Sequence, residues 1–255
     1  MNREVDQSEG VELAFAGNSL LATFTADARK LIEAEGRIIE IATGEVVLTR
    51  GEQVRYSVFP VGETMISMAV ELAGGRTVEV ASIGREGAVG GIVSCGFAPA
   101  FSRAECLVGG KAFRIPMTAL EDAKSHSGFI GNLFCRFSDY LLSQVMQSVA
   151  CHAFHSIPER AARWLLHAQD RAGDKIELTQ EAFAGLLGVQ RTTVNAVVKE
   201  LSSEGLVVTG RGTIRVVDRD GLERRSCECY ERLAEHFGAV IGDTGVGQGD
   251  PAECD

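Results

Sequence analysis

The chain has 255 residues, 45% hydrophobic and 24% charged, with a formal net charge of -10. That is the make-up of one large globular domain or two ordinary ones, and the acidic balance excludes a non-specific polyanion binder coated in positive charge. The apolar runs are short, and none reaches the roughly 20 residues needed to span a bilayer.

The opening residues, Met1-Asn2-Arg3-Glu4-Val5-Asp6, are polar and lack an apolar stretch. No secretory signal is read there, so the expected address is cytoplasmic, without a membrane partner. Residues 1–27 read as a polar, irregular arm. Between residues 37 and 116 glycine punctuates the chain, at Gly44, Gly51, Gly62, Gly74-Gly75, Gly84, Gly87, Gly90-Gly91 and Gly109-Gly110. Short β-prone runs lie between them, such as Val46-Val47-Leu48, Ile66-Ser67-Met68-Ala69-Val70 and Thr77-Val78-Glu79-Val80-Ala81. Their alternation of apolar and polar residues predicts half-buried strands. Residues 28–127 are therefore expected to form an antiparallel sandwich or jelly roll.

The texture changes after Pro116. Leu133, Phe137, Leu141, Val145 and Val149 recur at four-residue steps, with Phe134 and Tyr140 alongside. This spacing predicts a long amphipathic helix over 128–154. It could pack on its own sheet or on a second copy of itself. A rod of about 24 residues, roughly 36 Å, is longer than one small sandwich needs, which favours the second copy. Ser156-Ile157-Pro158-Glu159 then reads as a capped helix start, with Gly173 as the stop. The domain boundary is placed near residues 152–156. Past Arg232 the chain turns Gly-rich and acidic, and 242–255 is expected to be a disordered tail.

Residues 178–201 carry the functional signal. Thr179 is a good N-cap and Glu181 suits the positive end of a helix dipole. Phe183, Leu186 and Leu187 form an apolar face, Ala184 permits a close helix crossing, and Gly188 can take the positive φ that ends a helix. In the next helix Val194, Val197, Val198 and Leu201 face inward, while Arg191, Asn195 and Lys199 form a polar stripe with Thr192 beside it. Arg can read guanine and Asn adenine, each with bidentate geometry, and Thr193 and Lys199 suit phosphate. Leu206-Val207-Val208-Thr209 and Thr213-Ile214-Arg215-Val216-Val217 flank Gly210-Arg211-Gly212, which predicts a β-hairpin with Arg211 at its tip. Arg191, Lys199, Arg211 and Arg215 outnumber Glu200 and Glu204 between residues 185 and 217, a net positive window in an acidic chain.

The seven cysteines, Cys95, Cys106, Cys135, Cys151, Cys227, Cys229 and Cys254, are odd in number and irregularly spaced. They are read as reduced thiols. Cys227-x-Cys229 is a weak metal or redox signal, and Cys151, His152 and His155 read more simply as polar residues at a helix end. No metal ligand is assigned. With no Gly-rich phosphate loop and no nucleophile constellation, no catalytic residue is assigned either, and the chain is not expected to be an enzyme.

From about residue 37 to residue 230 the chain resembles the Crp/Fnr family of bacterial transcription regulators. The resemblance is carried by Leu178-Thr179-Gln180-Glu181, Leu187-Gly188-Val189, Arg191-Thr192-Thr193-Val194 and Glu204-Gly205-Leu206. Pro158-Glu159-Arg160 and Trp164-Leu165-Leu166 carry it in the preceding helix, and Phe59-Pro60, Gly75-Arg76-Thr77-Val78-Glu79-Val80 and Gly84-Arg85-Glu86-Gly87 in the β-rich half. Cys227-Glu228-Cys229-Tyr230 resembles the end of one subgroup.

The resemblance implies an α+β fold: a cyclic-nucleotide-binding-like β-roll of unknown effector at 28–127, a dimerisation helix at 128–154, and a winged helix-turn-helix at 155–230. It implies a homodimer on a palindromic double-stranded DNA site, with RNA polymerase a further candidate partner. The DNA-binding set it implies is Thr179, Gln180, Gln190, Arg191, Thr192, Thr193, Asn195, Lys199 and Arg211. Well-known members place a second Arg one turn after Arg191, where this chain has Ala196. The usual ribose-binding Glu is replaced by Gly91 in Val89-Gly90-Gly91-Ile92, and Ser102-Arg103-Ala104 reverses the phosphate motif, so cAMP is not expected. Without a cysteine before Cys95, neither is an iron–sulfur cluster, and no cofactor is assigned. The alternative reading is a sensor module whose β-roll binds an anionic effector through Arg103, with DNA contact secondary. Arg85-Glu86 is expected in a turn, where surface ion pairing explains it as well as ligand binding does.

Overall fold

The computed structural model describes residues 7–92 and 98–242. Three helices come first: α1 (Gln7–Gly17), α2 (Ser19–Ala22) and α3 (Ala26–Glu33). This corrects the expectation of an irregular arm. Val11, Ala14, Phe15, Leu20 and Leu21 are buried in the core of the β-rich half. Asn18 is buried, accepting from Leu21 N and donating to the carbonyls of Pro60 and Gly87, each at 2.8 Å. These long-range bonds, rather than local propensity, anchor the segment.

Seven strands follow: β1 (Arg37–Ile41), β2 (Val46–Leu48), β3 (Tyr56–Pro60), β4 (Met65–Glu71), β5 (Thr77–Ile83), β6 (Arg103–Val108) and β7 (Gly110–Pro116). They form two antiparallel sheets, ordered β1-β7-β3 and β2-β6-β4-β5. Phe59 pairs with Phe113 across β3 and β7. Ile66, Ile83, Ala104 and Cys106 from the second sheet join them in one core, as expected of a rolled antiparallel sandwich.

A short helix, α4 (Met117–His126), leads into the 27-residue α5 (Gly128–Phe154), capped by the Ser127 hydroxyl accepting from Ile130 N. α5 buries Ile130, Leu133, Phe134, Phe137, Tyr140, Leu141 and Gln144 against its own chain. Leu142, Met146 and Val149 are left 50%, 60% and 68% exposed. Val149 therefore lies off the inward face that Leu133, Phe137 and Leu141 share.

At His155 the backbone is extended and α6 (Ile157–Ala172) begins. The Glu159 carboxylate accepts from Ser156 N at 2.7 Å and from Ser156 Oγ at 2.6 Å. Gly173, at φ 76°, ends the helix. β8 (Lys175–Ile176), α7 (Gln180–Leu187), α8 (Arg191–Ser203), β9 (Val207–Gly210) and β10 (Thr213–Val216) complete a winged helix-turn-helix, with sheet order β8-β10-β9. Its separate core holds Trp164, Leu165, Phe183, Leu187, Val194, Val198, Leu201 and Ile214.

α9 (Arg219–Arg225) and α10 (Cys229–Phe237) follow, then a π-helical turn, Gly238–Gly242. The chain past Arg232 is thus still helical, because α10 returns to α5, where Phe237 meets Tyr140 edge-on at 4.9 Å. Of the expected tail, residues 243–255 lie outside the described residues.

Candidate nucleic-acid interface

The helix-turn-helix is set by its caps and its buried face. Thr179 Oγ1 accepts from Ala182 N at 3.1 Å, opening α7. Gly188 closes it in the left-handed conformation, φ 66° and ψ 34°, which glycine adopts without steric cost. Val194, Val197, Val198 and Leu201 seat α8 on the core, and Val189 packs in the turn between the helices. Arg160, buried in α6, donates from Nη2 to the Leu187 carbonyl at 2.5 Å, fixing the end of α7.

With that face committed, α8 turns the other outward. Gln190, Arg191, Thr192, Asn195, Ala196 and Lys199 are exposed, and Thr193 is half-buried. Gln180, Asn195 and Lys199 share one shallow depression with Thr209 of β9. Thr179, Gln180 and Arg191 line the adjoining one with Gly210, Gly212 and Thr213 of the hairpin. Arg211 is exposed in the β9–β10 turn, beside Gly212 at φ 71°. The structure thus brings Thr179, Gln180, Arg191, Asn195 and Lys199 together beside the hairpin. Arg191 approaches Glu181 at only 3.8 Å, and both side chains are largely solvated, so the contact is weak. Among the described residues no side-chain partner is found for Gln190, Asn195, Lys199 or Arg211. A row of unpaired donors on a rigid helix matches what base edges and phosphates accept.

The β-roll differs. Gly91 has φ 67°, and a Cβ there would lie 2.2 Å from the Met117 side chain. That φ strains any residue with a side chain, and the end of the Met117 side chain would have to move aside. Arg103 pairs with Glu105, Nη2 to Oε2 at 2.5 Å, and lies 4.0 Å from Glu71. Its charge is already matched, although it lines an open cleft between the β-roll and α7. A sensor module with secondary DNA contact is not favoured. Arg85-Glu86 departs from the expected surface pair: Glu86 instead receives Arg171 of α6 at 2.7 Å, with both side chains mostly buried.

A second link ties the halves together. Glu79 of β5 accepts from Ser67 Oγ at 2.6 Å and from the Trp164 indole at 2.7 Å. Burial pushes its carboxyl up to about 7, against the opposing pull of these donors and of Arg171 and Arg163. In sequence Glu79 reads as the polar member of an alternating strand. Only α6, laid over the sheet, makes that position interior.

A cluster that the sequence presents in pieces also forms. Cys151, His155, Cys227 and Cys229 bring their ligand atoms within 4.8 Å of one another. His152, which reads as the nearer companion of Cys151, stays exposed, with Nδ1 on the Ser148 carbonyl. The legible signal was the pair of motifs Cys-x3-His and Cys-x-Cys, which are 76 residues apart between Cys151 and Cys227.

The family model of the Crp-like helix-turn-helix domain matches residues 159–225. The HTH-type transcriptional regulator Cmr of Mycobacterium tuberculosis (strain CDC 1551 / Oshkosh) is 37% identical over 71 residues, a match spanning 28% of this chain and 28% of that protein. Among solved structures, FixK2 from Bradyrhizobium japonicum superposes with a TM-score of 0.65 at 17% identity, over 75% of this chain and 98% of that one. A regulator of the Crp/Fnr family from Eubacterium rectale ATCC 33656 gives 0.63 at 18% identity, over 83% and 97%. At these identities the structural likenesses establish the fold: β-roll, long helix and winged helix.

Proposed function

We propose that the chain is a transcription regulator of the Crp/Fnr type that binds a specific double-stranded DNA site as a homodimer. The observation that carries this reading is the exposed stripe of Gln190, Arg191, Thr192, Asn195 and Lys199 on a helix whose other face is locked into a core. In the proposed complex the N-terminal half of α8 enters the major groove. Gln190, Arg191, Thr192 and Asn195 or Ala196 face bases, and Thr179, Thr193, Lys199 and Arg211 face phosphates, with Gln180 beside them. Ala196 leaves one base position without the long donor that other members carry, so the target sequence differs from theirs. The work is recognition rather than catalysis, and RNA polymerase is the proposed downstream partner.

The homodimer reading rests on α5. Leu142, Met146, Val149 and Ala153 recur at steps of four, three and four on its exposed side. That is the seam by which two helices pair. No helix among the described residues is long and apolar enough to cross a membrane. Two-fold symmetry sets the half-sites about 34 Å apart. Genome-wide mapping of DNA bound by the chain tests the reading: enrichment of one palindrome with that spacing supports it, and fragments without a shared motif contradict it.

A further inference from the structure

We propose that Cys151, His155, Cys227 and Cys229 form a tetrahedral site for a divalent, thiolate-preferring metal ion of the zinc class, fastening the end of α5 to the segment that follows the wing.

The distances fit one ion. Bonds of about 2.3 Å to sulfur and about 2.0 Å to nitrogen set tetrahedral ligand separations of roughly 3.8 Å for sulfur pairs and 3.6 Å for sulfur and nitrogen. Here Cys151 Sγ and Cys227 Sγ are 3.6 Å apart, and Cys229 Sγ and His155 Nδ1 are 3.4 Å apart. No ligand atom of the four exceeds 4.8 Å from another. The sulfurs are free thiols, well beyond the roughly 2.0 Å of a disulfide. They are also too close together to sit on the separate irons of a cluster. All three cysteines are buried, so the site is closed, as structural zinc sites are.

The surroundings supply what metal ligands require. His155 turns Nδ1 to the cluster and Nε2 to the Glu228 carboxylate, at 3.2 Å. A carboxylate on the far nitrogen is the usual means of orienting a ligating imidazole. Gln147 of α5 donates from Nε2 to Cys229 Sγ at 2.8 Å. Three thiolates and a neutral imidazole around a divalent cation leave one net negative charge. Arg160 and Arg163, both buried, lie within electrostatic range of Cys151, and the Nε of each has no hydrogen-bond partner among the described residues. Binding displaces the thiol protons to solvent.

Cys151 sits in the last turn of α5 and His155 caps it, while Cys227 lies two residues past the end of α9. Arg225, the last residue of α9, pairs with Glu200 and Glu204 at the end of α8. The ion therefore closes a short path from the long helix, across the hinge, to the helix proposed to read DNA.

The test uses the full-length chain purified under reducing conditions. Elemental analysis is expected to find about one zinc ion per chain, and cobalt(II) in its place should give the intense visible bands of a tetrahedral thiolate site. Cys227→Ser with Cys229→Ser should lose the metal, and Cys135→Ser should keep it. Glu228→Gln leaves every ligand in place and should weaken affinity about 10- to 100-fold. Three results would each overturn the site: a reduced chain that takes up neither zinc nor cobalt, iron with acid-labile sulfide in place of a single ion, or a native Cys151–Cys227 disulfide that excludes metal. Metal content is read without DNA, so failure here leaves the DNA reading standing, and the converse holds.

Discussion

The outward face of α8 and three charged residues of the β-roll, Arg103, Glu86 and Glu79, are treated in opposite ways. On the winged helix, Gln190, Asn195, Lys199 and Arg211 face solvent without side-chain partners among the described residues, and Arg191 has only a long contact to Glu181. In the β-roll, Arg103 is held by Glu105, Glu86 by Arg171, and Glu79 by Ser67 and Trp164. A surface that must neutralise an external polyanion keeps its donors unspent. Two of those matches, Glu79 with Trp164 and Glu86 with Arg171, cross to α6. These two ties hold α6 against the β-roll.

That contrast can be broken from its strongest point downward. Arg171→Ala strands Glu86 in a mostly buried site, and losing one partner of a buried ion pair costs about 3–5 kcal/mol. Urea unfolding checks this, and a loss below about 1 kcal/mol would mean that the pair does not hold the interface. Glu79 comes next. Its folded carboxyl titrates near 7 rather than in the usual carboxylate range, so its stabilisation is full below about pH 4.5 and disappears as pH rises through about 7. The span corresponds to roughly 3 kcal/mol. Glu79→Gln should flatten this part of the stability profile, and an unchanged profile would remove Glu79 as its source. The smallest expected effect is on the opposite side of the comparison. Lys199→Ala should cost less than about 1 kcal/mol of DNA affinity but lower the salt dependence by about one counterion, on every sequence alike. A slope identical to the parent's would take Lys199 off the phosphate backbone.

How much could be read in advance follows the same division. The turn at Gly188, the inward set of Val194, Val197, Val198 and Leu201, and the Gly-Arg-Gly hairpin are short-range features, in which caps and periodicity fix the outcome. The N-terminal helices were missed because what seats them is distant: Asn18 is satisfied by carbonyls 42 and 69 residues away. Glu79 keeps the strand alternation that was expected but faces α6, which no local pattern reveals. The metal-type cluster joins the end of one helix to a turn past the wing, so its two half-motifs carried little weight separately. The heptad side of α5 was masked by its inward apolar residues, which interleave with it along the same helix.

The central claim is that α8 reads base sequence through Arg191, and the most direct measurement is affinity for every single-base variant of the mapped site, for the parent chain and for Arg191→Ala. The account predicts that the variant loses about 1–3 kcal/mol on the parent site and becomes indifferent to base identity at one position of each half-site. Equal affinity and an unchanged preference at every position would contradict it.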